Sequence, residues 1–351
     1  MRVLIQASDK PTETQARNEA SPDQLTKTFD RFKVFEDPRL QAIARIEAAL
    51  LSGGRKYFES KGFTEVVVPH ITKATGACEN INTMFEVDFF GERRYLAQTG
   101  QLYLEVLTPY LDKVWAAGPS FRAESDVDDR HLVEFTLVEI EFMGGFNELL
   151  RHVEGTITSM VAEALRAREE DLKLLGADIE RLREIRPPFK KITYTDAVEL
   201  LAETGVKWGD DLKSAHEKLL AKYFGNTPLF VTHYPKSIKF FNMKENSGNP
   251  DLVDSADLIL PFSGEAVGAA EREYDYEKLT SRLSESSMFR LLREKGGTLA
   301  DFGWYLDFYK EKGGVRHSGC GIGMNRVTQF VLGAADIRGT TTWPMNRESN
   351  A

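Results

Sequence analysis

The stretch FRAESDVDDRHLVEF, Phe121–Phe135, sets two arginines, a histidine, two glutamates and three aspartates between apolar edges. Its aspartates favour a turn, and strand-like runs flank it. In the run HLVEFTLVEIEF, period-two alternation puts His131, Val133, Phe135, Leu137, Glu139 and Glu141 on one face. That face is unusually polar for a core strand. Taken alone, the stretch fits two descriptions. One is an exposed hairpin whose charges pair with each other. The other is a grip for a ligand carrying several negative charges.

The surrounding chain supplies the frame. Its 351 residues suit one large domain or two ordinary ones, and 42% hydrophobic with 28% charged residues is globular composition. A net charge of −9 gives no support to broad nucleic-acid binding. Two distant cysteines make neither a disulfide framework nor a four-ligand zinc site. No apolar run approaches 18 residues and no signal-peptide pattern opens the chain, so a cytoplasmic location is expected.

Residues 1–37 read as a polar arm, partly disordered, with one candidate strand at RVLIQ. Asp37 before Pro38 marks a helix start, with Leu40, Ile43, Ile46 and Leu50 at helical spacing and a candidate kink at Gly53–Gly54. TEVVVPH follows as a strand. MFEVDFFG, RRYLAQT and VWAAGPSF also read as strands, interrupted by one helix at QLYLEVLTPYL. A helical insertion is expected around 147–225, then strands at PLFVTHYP, KSIKFFNM and DLILPFSGEAVGAAERE, then helices over 275–312. Strands joined without helical crossovers predict an α+β domain around a mostly antiparallel sheet of six to seven strands.

Two further stretches carry chemistry. GCGIGMNR, Gly319–Arg326, reads as a glycine-rich turn before a helix, where backbone approaches a ligand closely. It matches neither a P-loop nor G-x-G-x-x-G. In DLILPFSGEAVGAAERE, Asp257 and Glu265 bracket a turn and Arg272 follows. Two carboxylates beside phosphates suit Mg²⁺. The bland alternatives are a common glycine turn and two unrelated surface acids.

Together these stretches resemble the catalytic core of a class II aminoacyl-tRNA synthetase of the asparaginyl/aspartyl branch, over roughly residues 38–345. The helix and strand at 38–69 resemble the dimer-forming first motif, FRAESDVDDRHLVEF the second, and GCGIGMNR the third. CENINTMF looks like the substrate-covering loop and QTGQLYLE like the branch's Ser-Gly-Gln-Leu segment. The resemblance implies ATP and Mg²⁺ as cofactors and a homodimer. It implies that Arg122 holds the α-phosphate, Glu124 the adenine edge, and Arg130 with His131 the γ-phosphate. Phe135 and Arg326 would sandwich adenine, and Asp257 with Glu265 would carry Mg²⁺. Glu139 and Gln101 would bind the substrate's amino group, Arg272 its side-chain end, and Glu79 would sit on the covering loop.

Departures shape the functional expectation. About 37 residues precede the first motif, too few for the five-stranded anticodon-reading barrel of full synthetases. EREYDYEKL is similar to its counterpart in the archaeal asparagine synthetase of this branch. The leading expectation is therefore a ligase that adenylates aspartate or a related amino acid and makes an amide with ammonia or a small amine. The alternatives are a tRNA-charging asparaginyl-type enzyme and a non-catalytic amino-acid sensor. Leu104 stands where aspartate-binding members carry lysine, and Ala269, Ala270 and Asn325 also depart from the pattern.

Overall fold

The computed structural model describes residues 31–73 and 81–348. The RVLIQ strand, most of the N-terminal arm and Glu79 lie outside them. Helix α1 (Pro38–Ser60) starts as the sequence predicts, with the Asp37 carboxylate accepting the Arg39 N–H at 2.8 Å and Pro38 in the first turn. Leu40, Ile43, Ile46 and Leu50 are all buried. The helix runs through Gly53–Gly54 as one element, so the candidate kink is corrected. Gly53 serves packing instead. A Cβ there would collide with the Ser159 carbonyl and the Met160 backbone on the neighbouring helix.

The elements then run in chain order. They are β1 (Thr64–Glu65), β2 (Ile71–Thr72), β3 (Glu86–Phe89), β4 (Glu92–Leu96), α2 (Gln101–Glu105), α3 (Thr108–Leu111), β5 (Lys113–Phe121) and β6 (Glu134–Phe142). Next come α4 (Phe146–Leu174), α5 (Ile179–Arg183), β7 (Lys190–Thr193), α6 (Tyr194–Leu200), α7 (Ser214–Tyr223) and β8 (Leu229–Thr232). The chain closes with β9 (Ser255–Leu260), β10 (Gly264–Glu271), α8 (Tyr276–Glu285), α9 (Ser287–Glu294), α10 (Gly303–Lys312), β11 (Ser318–Gly323) and α11 (Met324–Leu332).

One sheet of eight strands runs β1-β5-β6-β11-β10-β9-β8-β7, and a small antiparallel sheet runs β2-β4-β3. The inner neighbours of the large sheet are antiparallel, but β1 pairs parallel to β5 and β7 parallel to β8. The α+β and mostly antiparallel expectations hold, while the strand count is corrected from six or seven to eight. Both parallel strands sit at edges and are followed by helix-containing connections, which permit parallel pairing. Both are short, so neither shows a clear alternation.

On β6 the predicted alternation is realised. Val138, Ile140 and Phe142 face the main core, together with Leu40, Ile43, Ile46 and Leu50 of α1, Leu149, Val153, Ile157 and Met160 of α4, and Val327 and Phe330 of α11. Phe135, Leu137, Glu139 and Glu141 face a cavity on the opposite side. Three local expectations fail. QLYLEVLTPYL breaks into α2 and α3 because Pro109 has no N–H to continue the ladder, and the Thr108 hydroxyl takes the Glu105 carbonyl at 2.8 Å. KSIKFFNM forms a 3₁₀ turn at Lys236–Ile238 and a strap, with Lys239, Phe240 and Met243 turned into the cavity. TEVVVPH yields only the two residues of β1.

His152 of α4 packs edge-on against Phe63 and Phe142, with ring centroids 5.1 and 4.7 Å away, and its Nδ1 lies 3.1 Å from the Tyr57 hydroxyl. Burial pushes its pKa down to about 4. The fold holds a neutral ring, so this contribution is fully present above the ordinary histidine value of 6.5 and is lost as pH falls through about 4. His152→Gln should flatten the fall of thermal midpoint between those values. An unchanged acid limb in the variant would remove His152 from the account.

Candidate active site

A cavity of about 520 Å³ opens on the sheet face away from α1 and α4. Gln101, Arg122, Glu124, Arg130, His131, Phe135, Glu139, Asp257, Glu265, Arg272 and Arg326 all line it. Eleven of the twelve predicted site residues thus converge from seven segments of chain, and the twelfth, Glu79, lies outside the described residues.

The glycines of GCGIGMNR do something other than cap a turn. They form strand β11, and Gly319, Gly321 and Gly323 stand opposite Glu141, Glu139 and Leu137 of β6. A Cβ on Gly319 would collide with the Glu141 carboxylate, and one on Gly321 would touch Leu137. Glycine at alternate positions leaves room for the large side chains of the next strand. The predicted turn is corrected to a strand for this reason.

At one end of the cavity, the Arg272 Nε and Nη2 donate to Glu141 Oε1 at 3.0 and 2.6 Å, with both side chains buried. Burial opposes the Arg272 charge, but Glu141 and Glu105 outweigh it and hold its pKa above the usual arginine value. Burial pushes the Glu141 carboxyl up, and Arg272 opposes that push. Glu141 Oε2 is buried without a hydrogen-bond partner. Beside this pair, Glu139 accepts the Thr99 hydroxyl and the Gly100 N–H, the latter at 2.7 Å, and burial raises its pKa.

The other end holds the remaining cations. The Arg122 guanidinium lies 5.0 Å from the Phe135 ring centroid and covers one of its faces. Arg130 Nη2 donates to Glu217 at 2.7 Å. His131 Nδ1 lies 2.7 Å from Asp128, and His131 Nε2 lies 3.8 Å from Glu124. Asp128 also accepts the backbone N–H groups of Arg130 and His131, and despite burial these contacts hold it below the usual carboxylate range. Arg326 donates to the Glu265 carbonyl, and burial lowers its pKa.

The acids Asp257 and Glu265 also face the cavity. Burial, then repulsion from Asp257, pushes Glu265 up to about 8. A hard dication would relieve that repulsion, and two carboxylates leave positions for phosphate oxygens and water, so the donor chemistry fits Mg²⁺. Among the described residues no group of three or more candidate ligands is arranged for a metal.

Sequence reasoning missed Lys239, Glu217 and Glu141's partnership. Lys239 Nζ bonds both Asp257 oxygens at 2.9 and 2.7 Å and lies 3.9 Å from the Tyr234 ring centroid. Glu217 shares the buried face of α7 with Leu220 and Ala221, an acid on an apolar stripe that could have drawn notice. Three departures look different in place. Leu104 belongs to a separate apolar cluster with Val68, Val114 and Ala116. Ala269 faces the main core, and Ala270 is packed with Met243 and Val253. Asn325 ties α11 to β6 through the Thr136 N–H at 3.1 Å and to Thr341 at 2.9 Å.

A family profile described as "tRNA synthetases class II (D, K and N)" matches residues 23–347. The chain belongs to that family. It is therefore an ATP-dependent, AMP-forming ligase that activates an amino acid. An asparagine–tRNA ligase from Pelotomaculum thermopropionicum is 39% identical over 311 residues, covering 88% of this chain and 69% of that relative. The asparaginyl-tRNA synthetase of Pyrococcus horikoshii, complexed with asparaginyl-adenylate, superposes with a TM-score of 0.85 at 34% identity, covering 99% of this chain and 77% of the other. The Entamoeba histolytica enzyme, also with asparaginyl-adenylate, gives 0.78 at 26% identity, covering 93% and 72%. Among the described residues no helix is long and apolar enough to cross a membrane.

Leaving a charge buried without its partner costs about 3–5 kcal/mol, whereas apolar replacement of a whole pair is often neutral. Glu141→Leu should therefore destabilise the ligase strongly in chemical denaturation. Adding Arg272→Met should recover most of the loss. A single variant as stable as the parent would mean the pair is solvated and not the buried link described.

Proposed function

We propose that this ligase activates asparagine, in preference to aspartate, as asparaginyl-adenylate and passes it to tRNA. The observation that carries the reading is the Arg272–Glu141 pair on the cavity wall. Arg272 supplies N–H donors, and beside it Glu141 Oε2 is a buried acceptor with no partner. A carboxamide offers one acceptor oxygen and one N–H₂ group, matching that order. A side-chain carboxylate would set a second negative charge against Glu141. Like-charge juxtaposition costs several kcal/mol, so discrimination of about 100-fold or more is expected.

The aspartate-to-amide reading fits this wall less well, and Leu104 supplies no cation to rescue it. Relatives named asparagine–tRNA ligases support tRNA over ammonia as the acceptor.

In the adenylation step a substrate carboxylate oxygen attacks the α-phosphorus of ATP, and the bond to pyrophosphate breaks. Arg122 would offset the charge that develops on the α-phosphoryl oxygens. Arg130 and His131 would grip the leaving phosphates, while Glu124 and Phe135 would position adenine with Arg326. Glu139 and Gln101 would hold the substrate ammonium. Mg²⁺, held by Asp257 and Glu265, would supply charge neutralisation along the phosphates. The protein's work is alignment and charge compensation. In the transfer step a ribose hydroxyl of tRNA takes the acyl group and AMP departs.

The expected location is cytoplasmic, and α1 with the segment after it would form a homodimer. Val67 supports that surface, because its apolar side chain is 98% exposed. Val67→Glu should shift the molecular mass measured by light scattering from dimer to monomer. A variant that stays dimeric would place the interface elsewhere.

Amino-acid-dependent ATP–pyrophosphate exchange tests the activation step. Exchange with asparagine at least about 100-fold more efficient than with aspartate is expected, and equal rates would sink the asparagine reading. Arg122→Ala should lower that exchange by about 10²–10³ while the protein stays folded. Asparagine attached to tRNA, with no free amide from aspartate and ammonia, is the expected product. Free amide as the sole product would overturn the tRNA assignment.

A further inference from the structure

Behind the amino-acid end of the cavity lies a carboxylate that does not itself line it. Glu105, at the end of α2, is 1% exposed. Its Oε1 accepts from Gln101 Nε2 at 2.7 Å and Asn242 Nδ2 at 3.1 Å. Its Oε2 accepts the hydroxyls of Tyr305 and Tyr309 at 2.7 and 2.9 Å, with His317 Nε2 at 3.3 Å. Both oxygens are thus saturated by donors from four segments of chain. Two of those donors come from α10, which packs with α8 and α9 around Leu102 of α2.

The consequence falls on Gln101. A primary amide has a donor end and an acceptor end, and a buried carboxylate accepts only the donor end. With Nε2 committed to Glu105, the carbonyl oxygen is the end left for the cavity that Gln101 lines. A flipped amide would set Oε1 against Glu105 and lose a charge-assisted hydrogen bond. The geometry points to Glu105 as a positioning residue that fixes the Gln101 carbonyl as an acceptor for the substrate's α-ammonium, opposite Glu139. Tyr305, Tyr309 and His317 hold Glu105 in place, so the α8–α10 unit shapes the amino-acid site without lining it.

Burial disfavours the Glu105 charge, but His317 and its other donors overcome this and hold it down to about 2. The carboxylate is therefore ionised throughout the working range, as the donor count requires.

This inference rests on the reading of the cavity as an amino-acid-activating site. The test is a swap. Steady-state exchange is measured for Glu105→Gln, for Gln101→Glu and for the double variant, titrating asparagine and ATP separately. Glu105→Gln turns an amide donor toward Gln101 and favours its flip. The KM for asparagine should rise about 10- to 100-fold, the worth of one hydrogen bond to a charge, with the KM for ATP unchanged. The double variant restores a donor at 105 and an acceptor facing the cavity, so most of the loss should return. An unchanged asparagine KM in Glu105→Gln overturns the proposal, as does a double variant no better than that single one. A purely structural role would move the thermal midpoint and both KM values together, and would not predict rescue.

If Glu105→Gln does not fold, Tyr309→Phe removes one of the five donors. It should raise the asparagine KM about threefold, and an unchanged value then counts against the proposal. Wild-type exchange with another amino acid would refute the asparagine reading alone, and the swap then runs on that substrate, which carries the same ammonium. No exchange with any amino acid refutes both.

Discussion

The constraint on which the site depends is the burial of carboxylates at the centre of a sheet. Glu139 and Glu141 sit buried in the C-terminal half of β6, where a long side chain and a charge are both hard to place. The neighbouring strand solves the steric half of the problem with Gly319 and Gly321, which leave the space above β11 open. Arg272, just past the end of β10, and the Thr99–Gly100 segment solve the electrostatic half. Charge buried this way costs stability, yet it yields a floor whose donors and acceptors cannot rearrange in water. A fixed floor of that kind is what selection of a small polar substrate requires.

The readable part of this fold was the part with long, regular periodicity. Asp37–Pro38 with its helical apolar spacing gave α1, and alternation on HLVEFTLVEIEF placed four cavity side chains on one face. Short elements escaped. The two-residue β1 and the KKIT strand β7 have no pattern to show, and they carry the two parallel pairings of the otherwise antiparallel large sheet. GCGIG was misread for a different reason. Glycine ordinarily weakens a strand, so a glycine-rich strand is disfavoured by propensity and is stabilised only by the neighbour it accommodates. The strap at Lys236–Met243 was misread because its side chains answer to partners far along the chain, such as Asp257 for Lys239.

The site residues divide along the same line. Arg122, Arg130, His131, Asp257, Glu265 and Arg326, which line the cavity, fall in recognisable stretches to which the resemblance points. Lys239 has no local signature, because it meets Asp257 only on folding, and Glu217 shows only as an acid on an apolar helix stripe. A sequence displays which polar residues are present, whereas their pairing belongs to the packed structure.

That pairing bears on how a polyanion could bind. In this state Arg130 is matched by Glu217, and Lys239 is matched by Asp257. Gly264, at φ +75°, lets the Arg130–Glu217 pair sit where any side chain would collide with both partners. Two of the cations that line the cavity are therefore compensated by the protein's own acids. On the proposed reading, phosphate would take Arg130 and Lys239, and the dication would take Asp257. The fold thus holds its charged groups in paired positions, and a ligand of the proposed kind would re-partner groups already in place.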